Sequence, residues 1–195
     1  ANSQVFRVVH EKQTFAVKRY PDLAFDQRQR LYSESKACTF LKEQGIDSVL
    51  QFVKAAPELN LAMYRWIDGL PVAEVDDRDV LQALEFVEQL HKARGYGSTQ
   101  NIPEAAEACL SVDDLWNQIE QKRQRLVKAV SKFTEVREFI EQEFDPVQEA
   151  CHATLAQQFP NLRTSDQLPH KWQTLSPSDF GFHNALRQAD GSLIW

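Results

Sequence analysis

The residues with the clearest chemical potential lie in the loop Leu175–Leu186, which reads LSPSDFGFHNAL. Asp179 is followed five positions later by Asn184, and proline, serine and glycine nearby favour a tight loop. A carboxylate in such a loop could orient a hydroxyl group and accept its proton, while an amide oxygen helps to hold Mg²⁺. The pair therefore predicts a phosphoryl-transfer site. An ordinary polar loop before a hairpin is the alternative.

The same loop contains the string Asp-Phe-Gly, which in protein kinases marks a different aspartate, the one that chelates Mg²⁺. If Asp179 had that role, an aspartate followed five residues later by an asparagine should lie upstream. The only aspartate between Asp145 and Asp179 is Asp166, and residue 171 is a lysine. We therefore assign Asp179 to the catalytic loop, which covers residues 175–187 and leads into a predicted β-hairpin.

A second group of candidate residues lies near the amino terminus, where the runs 5–9 and 14–20 predict an antiparallel hairpin. Period-two alternation places Ala16, Lys18 and Tyr20 on one face of the second strand. A small alanine two residues before a lysine leaves room for a flat ring while the ammonium reaches further along, as in the pattern V-A-I-K. Lys18 is therefore a candidate nucleotide ligand. A surface lysine is the alternative.

Glu34 falls on the apolar stripe of the helix predicted over residues 27–44, between Leu31 and Cys38. A carboxylate that faces inwards needs a cation, and Lys18 is the nearest candidate in the sequence. Such an ion pair would position the ammonium on the phosphates of a nucleotide. A place at the edge of the stripe, in water, is the alternative for this glutamate.

Two further strands precede a chain-breaking stretch at Asp68–Pro71, which is suited to a hinge. Backbone N–H and C=O groups of Arg65, Trp66 and Ile67 could pair with the edge of an adenine ring without requiring particular side chains. The order of strand, strand, helix, strand, strand and hinge predicts a small nucleotide-binding lobe over residues 1–69.

The chain after this hinge has an almost wholly helical pattern, which predicts a larger lobe over residues 70–195. Its first helix, predicted over residues 79–92, carries an apolar stripe of Val80, Leu84, Val87 and His91, which Leu81 and Leu90 widen. The pattern therefore predicts an amphipathic helix at the start of this lobe.

Two later helix starts have recognisable signals. Ser111 followed three residues later by Asp114 resembles a capping box with aspartate in place of glutamate. At Asp145 and Pro146, the aspartate is a candidate cap and the proline suits the first turn of a new helix. We therefore expect helices to begin near both positions.

Composition limits the class of protein. The 195 residues are 43% apolar and 26% charged, which is typical of a globular chain with a real core. A formal net charge of −6 argues against a nucleic-acid groove. No apolar run approaches the length of a membrane span, and no basic-then-apolar signal begins the chain, so we expect a cytoplasmic protein without membrane contact. Widely spaced Cys38, Cys109 and Cys151 are predicted to be reduced thiols.

These features occur in the order found in kinases: Ala16-x-Lys18, Glu34, a hinge, a helical half and Asp179-x₄-Asn184. The chain resembles the aminoglycoside phosphotransferase and choline kinase group of small-molecule kinases, and its SPSDFGFHN loop resembles a bacterial branch of that group. The resemblance spans nearly the whole chain, although the residues that carry it are few. It implies an α+β, protein-kinase-like fold with a small antiparallel lobe that holds one helix and a larger, mainly helical lobe.

The resemblance also implies roles residue by residue. Lys18 would contact the α- and β-phosphates, with Glu34 as its ion-pair partner. Asp179 would be the catalytic base and Asn184 a Mg²⁺ ligand. The implied cofactors are ATP and Mg²⁺, and the implied partner is a small molecule that offers a hydroxyl group.

The chain departs from the group's H-G-D-x-x-x-x-N loop at two positions, because Pro177 replaces the histidine and Ser178 replaces the glycine. The resemblance further implies that the first strand and most of the phosphate-covering loop would precede Ala1. It implies that the metal-chelating aspartate would follow Trp195. We therefore expect a fragment, from which the phosphate acceptor cannot be identified.

The expected activity is transfer of the γ-phosphate of ATP to a hydroxyl of a small molecule. A catalytically silent, kinase-like module that binds nucleotide or regulates a partner is the alternative. A helical interaction protein would leave the Ala16, Lys18 and Glu34 arrangement unexplained. A eukaryotic-type protein kinase is disfavoured because no His-Arg-Asp or Ala-Pro-Glu string occurs. The oligomeric state stays open, since no heptad pattern is sustained.

Overall fold

The computed structural model describes residues 3–22, 24, 28–94, 102–129, 133–177 and 179–195. Over these residues the chain is α+β, with antiparallel sheets and several helices, which confirms the expected class. The chain divides into two compact units. The first consists of Ala1–Ala106 and His170–Trp195, and the second of Glu107–Pro169. The lobe boundary expected at residue 69 falls inside the first unit. Within the described residues, no helix has both the length and the apolar character that a membrane span requires.

A four-stranded antiparallel sheet with the order β1-β2-β4-β3 forms one side of the first unit. The tight β1–β2 turn holds Glu11 and Lys12 at φ 46° and 68°, the left-handed geometry of a two-residue hairpin. Register places Ala16 opposite Tyr64 and Lys18 opposite Ala62, so these side chains share one face. The strands are β1 (Gln4–His10), β2 (Gln13–Arg19), β3 (Phe52–Ala56) and β4 (Leu61–Arg65).

Helix α1 (Arg30–Glu43) connects β2 to β3. It ends at Gly45, whose φ of 72° suits a glycine, and the Ile46 N–H donates to the Leu41 carbonyl as in a Schellman motif. Beside it lies a buried cluster, which partly buried Ala16, Leu31, Leu50 and Phe52 complete. The cluster consists of Tyr20, Cys38, Ala62 and Tyr64.

A second buried cluster joins the carboxyl-terminal end of α1 to helix α2 (Asp77–Lys92). Partly buried Leu175 and Trp195, from either side of the predicted catalytic loop, pack against it. This cluster therefore fixes the loop to both helices. Its buried members are Phe40, Leu41, Ile46, Val49, Phe86, Leu90 and Ala93.

Helix α2 is amphipathic, but its buried face is rotated away from most of the predicted apolar stripe, of which only Leu90 is buried. Val80, Leu84 and Val87 are all exposed. The physical reason is the burial of Asp79, which turns the helix so that its carboxylate points inwards. That carboxylate accepts a hydrogen bond from the Arg187 guanidinium at 2.5 Å. The two residues are 108 positions apart in the sequence.

The hairpin predicted after the catalytic loop is confirmed as β6 (Leu186–Arg187) and β7 (Leu193–Ile194). Strand β5 (Leu70–Pro71), in the stretch interpreted as a chain break, adds to its edge. Helix α2 holds the hairpin through Gln82, whose amide donates to the Gly191 carbonyl at 3.1 Å and accepts from the Leu193 N–H at 2.8 Å. The hairpin is therefore anchored directly behind the loop.

The second unit is helical: α3 (Val112–Ala129), α4 (Thr134–Phe139), a π-helical segment (Ile140–Phe144) and α5 (Asp145–Gln158). The predicted capping box is confirmed, because the Ser111 N–H donates to Asp114 at 2.9 Å and the Asp114 N–H donates to the Ser111 hydroxyl at 3.0 Å.

The predicted cap at Asp145 is wrong. Its carboxylate instead accepts two hydrogen bonds from the Arg123 guanidinium, at 2.6 and 2.5 Å. The π-helical segment runs directly into α5, so the backbone at this point is already helical on both sides and offers no free helix start to cap.

Candidate functional site

The ion pair predicted between strand and helix is present. Lys18 Nζ donates to both carboxylate oxygens of Glu34, at 2.9 and 2.6 Å. The two side chains are 24% and 26% exposed. A lysine ammonium has three N–H donors, so two hydrogen bonds to Glu34 leave one for a further acceptor. Lys18 can therefore offer one N–H donor to a ligand while Glu34 holds its ammonium in place.

The floor beneath this pair is the buried cluster of the sheet. Burial, and then the negative charge of Glu34, raises the pKa of the Cys38 thiol to about 12, so this cysteine is an inert thiol at neutral pH. The same causes raise the pKa of the Tyr20 and Tyr64 hydroxyls, which stay protonated. Ala16 packs against this cluster from the strand that carries Lys18.

The hinge residues differ in what their backbone can offer. The Arg65 N–H donates to the Gln51 carbonyl at 2.9 Å, and the Trp66 N–H donates to the Thr14 carbonyl at 3.2 Å. Ile67 has no hydrogen bond to any residue that the structure describes. Of the three predicted adenine contacts, Ile67 is therefore the one whose N–H has no acceptor within the described part of the chain.

The loop brings Asp179 and Asn184 together, as their spacing predicts. The Asn184 side-chain N–H groups donate to the Asp179 carbonyl at 2.9 Å and to its Oδ2 at 3.1 Å. Asn184 Oδ1 has no hydrogen-bond partner among the described residues, which leaves free the oxygen that suits Mg²⁺. Asp179 has a φ of 61°, a left-handed conformation that aspartate tolerates better than most residues.

His183 lies on the other oxygen of the aspartate, with Nε2 3.5 Å from Asp179 Oδ1. Its ring occupies the space where a Cβ on Gly181 would sit, because that Cβ would be 2.7 and 2.8 Å from two ring atoms. The glycine therefore makes room for the histidine. The histidine also meets the second member of the pair, because the Asn184 amide nitrogen lies 3.1 Å from its Nε2.

An aromatic group beneath the loop was missed from sequence. Phe180 packs on Trp195 and Phe86, with ring centroids 4.6 and 5.6 Å away, and Phe182 lies 5.6 Å from Trp195. The backbone N–H of Trp195 donates to the Ser48 carbonyl at 2.9 Å, which ties the hairpin to the segment after α1. The signal that could have found this group is the Phe180-x-Phe182 alternation on either side of Gly181.

The structure thus places the predicted residues in two groups within one compact unit. The sheet group is Ala16 and Lys18 on β2 with Glu34 on α1, and the loop group is Asp179 and Asn184. Ser178, one of the two departures noted above, lies outside the described residues. Among the residues described, no three His, Cys, Asp or Glu side chains are clustered so as to hold a metal. A scan against protein-family models and a search of curated proteins found no match for this chain.

Proposed function

We propose that this chain is the Mg·ATP-dependent catalytic part of a small-molecule phosphotransferase with a two-lobed, protein-kinase-like fold. In this proposal it transfers the γ-phosphate of ATP to a hydroxyl group. The observation that carries the proposal is the presence, in one compact unit, of an ion-paired strand lysine and an aspartate held by an asparagine five residues later. Each pair alone is common, and the combination is typical of kinases.

The sheet group supports nucleotide binding. Lys18 keeps one N–H donor beyond its contacts with Glu34, so it can donate to a phosphate oxygen without losing the ion pair. Ile67 supplies an N–H that can pair with an adenine edge. The Lys18 ammonium is held by Glu34 before any ligand arrives, which lowers the entropic cost of binding.

The loop group supports transfer to a hydroxyl. Asn184 donates to Asp179 Oδ2 at 3.1 Å, whereas His183 Nε2 lies further away, 3.5 Å from Oδ1, so Oδ1 is the oxygen that orients the acceptor hydroxyl and receives its proton. Asn184 Oδ1, which has no partner among the described residues, can hold a metal ion. Bound Mg²⁺ supplies neutralisation of charge on the phosphate oxygens. Because such chemistry depends mainly on position and charge, a well-placed carboxylate suffices as base.

The test is transfer of labelled γ-phosphate from ATP to a panel of aminoglycosides, amino alcohols and simple sugars, by the chain with its natural flanking sequence. Asp179→Asn should lower turnover by about 10²- to 10⁴-fold, because it removes the base, while the thermal shift caused by Mg·ATP is kept. Asp166→Asn is the matched control, since Asp166 is exposed and lies in the other unit. Equal turnover of wild type and Asp179→Asn would remove Asp179 from the mechanism.

A second candidate function is a silent, kinase-like module that binds nucleotide without transferring phosphate. The observation that favours it is the 79% exposure of the Asp179 side chain, against about a quarter for Lys18 and Glu34. A Mg·ATP-dependent thermal shift without transfer to any acceptor would support this candidate. Transfer that depends on Asp179 would exclude it.

A further inference from the structure

Two tyrosines in the floor of the sheet have hydroxyl groups that packing alone does not explain. Tyr20 and Tyr64 are 4% and 1% exposed, and their hydroxyl oxygens lie 2.7 Å apart. A buried hydroxyl pair adds little net stability over two phenylalanines of the same shape. The role of the two hydroxyl groups is therefore to be found in their contacts with the residues around them.

The neighbours are the charged groups of the candidate site. Lys18 Nζ lies 5.1 Å from the centroid of the Tyr20 ring, within the range of a cation–π interaction. Glu34 holds the same ammonium through two hydrogen bonds. The Glu34 charge also acts on both tyrosine hydroxyls, since after burial it is the largest cause of their raised pKa. The ammonium is thus held by a carboxylate and by a ring.

The ring itself is held in place. The Tyr20 hydroxyl is bonded to Tyr64, and the Tyr64 ring packs edge-on against Phe52 with centroids 5.9 Å apart. Tyr64 also lies opposite Ala16 in the sheet register. A chain of contacts therefore runs from the far edge of the sheet, through the two hydroxyls, to the face of Tyr20 that meets Lys18.

We propose that Tyr20, anchored by the Tyr64 hydroxyl, is a positioning residue that holds the Lys18 ammonium for the nucleotide phosphates. The proposal rests on the proposed function for its ligand, but the contact itself can be measured without nucleotide. Tyr20 touches neither ATP nor the acceptor in this scheme. It acts only through Lys18.

The first measurement is acetylation of Lys18 by N-hydroxysuccinimidyl acetate, followed by peptide mass spectrometry without nucleotide. Tyr20→Leu removes the ring and should raise the Lys18 rate several-fold relative to exposed Lys12 and Lys54, because the ammonium loses a wall of its site. Tyr20→Phe keeps the ring but loses the hydrogen bond to Tyr64, so the Lys18 rate should rise by no more than about twofold, as in Tyr64→Phe. Phe52→Leu weakens the same cluster without touching Lys18 and is the matched control.

The second measurement is the KM for Mg·ATP. Tyr20→Leu should raise it about tenfold with a smaller change in kcat, and Tyr20→Phe should restore most of the affinity. If Tyr20→Leu does not fold, Tyr64→Phe is used, because it keeps the core volume and only frees the Tyr20 hydroxyl. It should raise Lys18 acetylation about twofold, within the range of a single modest hydrogen bond.

The outcomes separate the two proposals. A wild type that neither binds Mg·ATP nor transfers phosphate overturns the proposed function, while a changed Lys18 rate in Tyr20→Leu still supports the Tyr20 contact. An active wild type with unchanged Lys18 rate and KM in the tyrosine variants overturns the role of Tyr20 alone. Equal effects of Phe52→Leu and Tyr20→Leu also overturn it, because they reduce Tyr20 to a packing residue.

Discussion

The Lys18–Glu34 pair lies against a buried floor with about a quarter of each side chain exposed, whereas the Asp179 carboxylate is 79% exposed. The sheet group is held by direct contact between its own charged members. The loop group is held from below, by Phe180 on Phe86 and Trp195. The comparison shows that contacts between charged atoms hold the sheet group in place, whereas apolar packing beneath the loop supports the loop group.

Removal of the support beneath the loop should have the largest effect. Phe86→Ala should lower the free energy of unfolding by about 3–5 kcal/mol, because it leaves a cavity under a fully packed ring. Urea denaturation followed by fluorescence measures this loss. Phe139→Ala is the control, since Phe139 is exposed and should change stability by less than about 0.5 kcal/mol. Equal losses of unfolding free energy in the two variants would mean that the packing of Phe86 beneath the loop adds nothing to stability.

Removal of a charged member of the sheet group should affect binding more than folding. Lys18→Met should weaken Mg·ATP binding by about ten- to a hundredfold, since one charge-assisted hydrogen bond is lost. The methionine keeps the apolar stem against the sheet, so circular dichroism should show an unchanged fold. A thermal-shift titration with Mg·ATP measures the affinity. Loss of helical and strand signal would show instead that Lys18 is structural.

The support of the hairpin behind the loop should depend on pH. A hydrogen bond from the Asp76 N–H and, after it, the Arg187 guanidinium hold the pKa of the Asp79 carboxyl below its ordinary value. A depressed pKa in the folded state gives stability that is present above about pH 4 and is lost as the pH falls through the folded-state value. Unfolding free energies between pH 7 and 2 should show this decline.

The matched variant for this pH series is Asp79→Asn, which cannot titrate. It should be less stable than wild type at neutral pH, and its stability should fall less between pH 4 and 2. Parallel curves for the two proteins would exclude Asp79 as a source of acid sensitivity.

The smallest expected effect on stability belongs to Gly181→Ala. The new Cβ would displace the exposed His183 ring, and the free energy of unfolding should change by less than about 0.5 kcal/mol. The affinity for Mg·ATP should be unchanged, while turnover should fall because the ring contacts Asp179. Unchanged turnover would show that the position of His183 is irrelevant to the loop.

Local sequence patterns predicted the parts of the site whose partners share an element or follow a simple period. Lys18 and Glu34 could be matched because strand alternation and a helical stripe each pointed inwards. The Asp179–Asn184 contact lies within one short loop. Each of these predictions needed only a few neighbouring residues.

Contacts between distant segments could not be predicted in this way. The rotation of α2 depends on Asp79 meeting Arg187, and Asp145 left its expected cap for Arg123. In both cases a charged side chain forms an ion pair with a residue far along the chain. Local periodicity does not predict such pairs. The aromatic floor of the loop was missed for the same reason, because Phe86 and Trp195 are far from Phe180 in sequence.

The attachment of α1 has a mechanical consequence. Phe40 and Leu41 fix its carboxyl-terminal end in the cluster shared with α2, whereas Glu34 lies about 10 Å further along the axis, at 1.5 Å per residue from Leu41. The amino-terminal half of α1 would therefore pivot about this fixed carboxyl-terminal end if the helix tilted. A tilt of about 10° about that end would swing Glu34 by about 2 Å over that distance, which is enough to break its hydrogen bonds to Lys18. Leu31 and Cys38 pack this part of the helix against the sheet and oppose such a tilt, so the ion pair depends on the packing of both ends of α1.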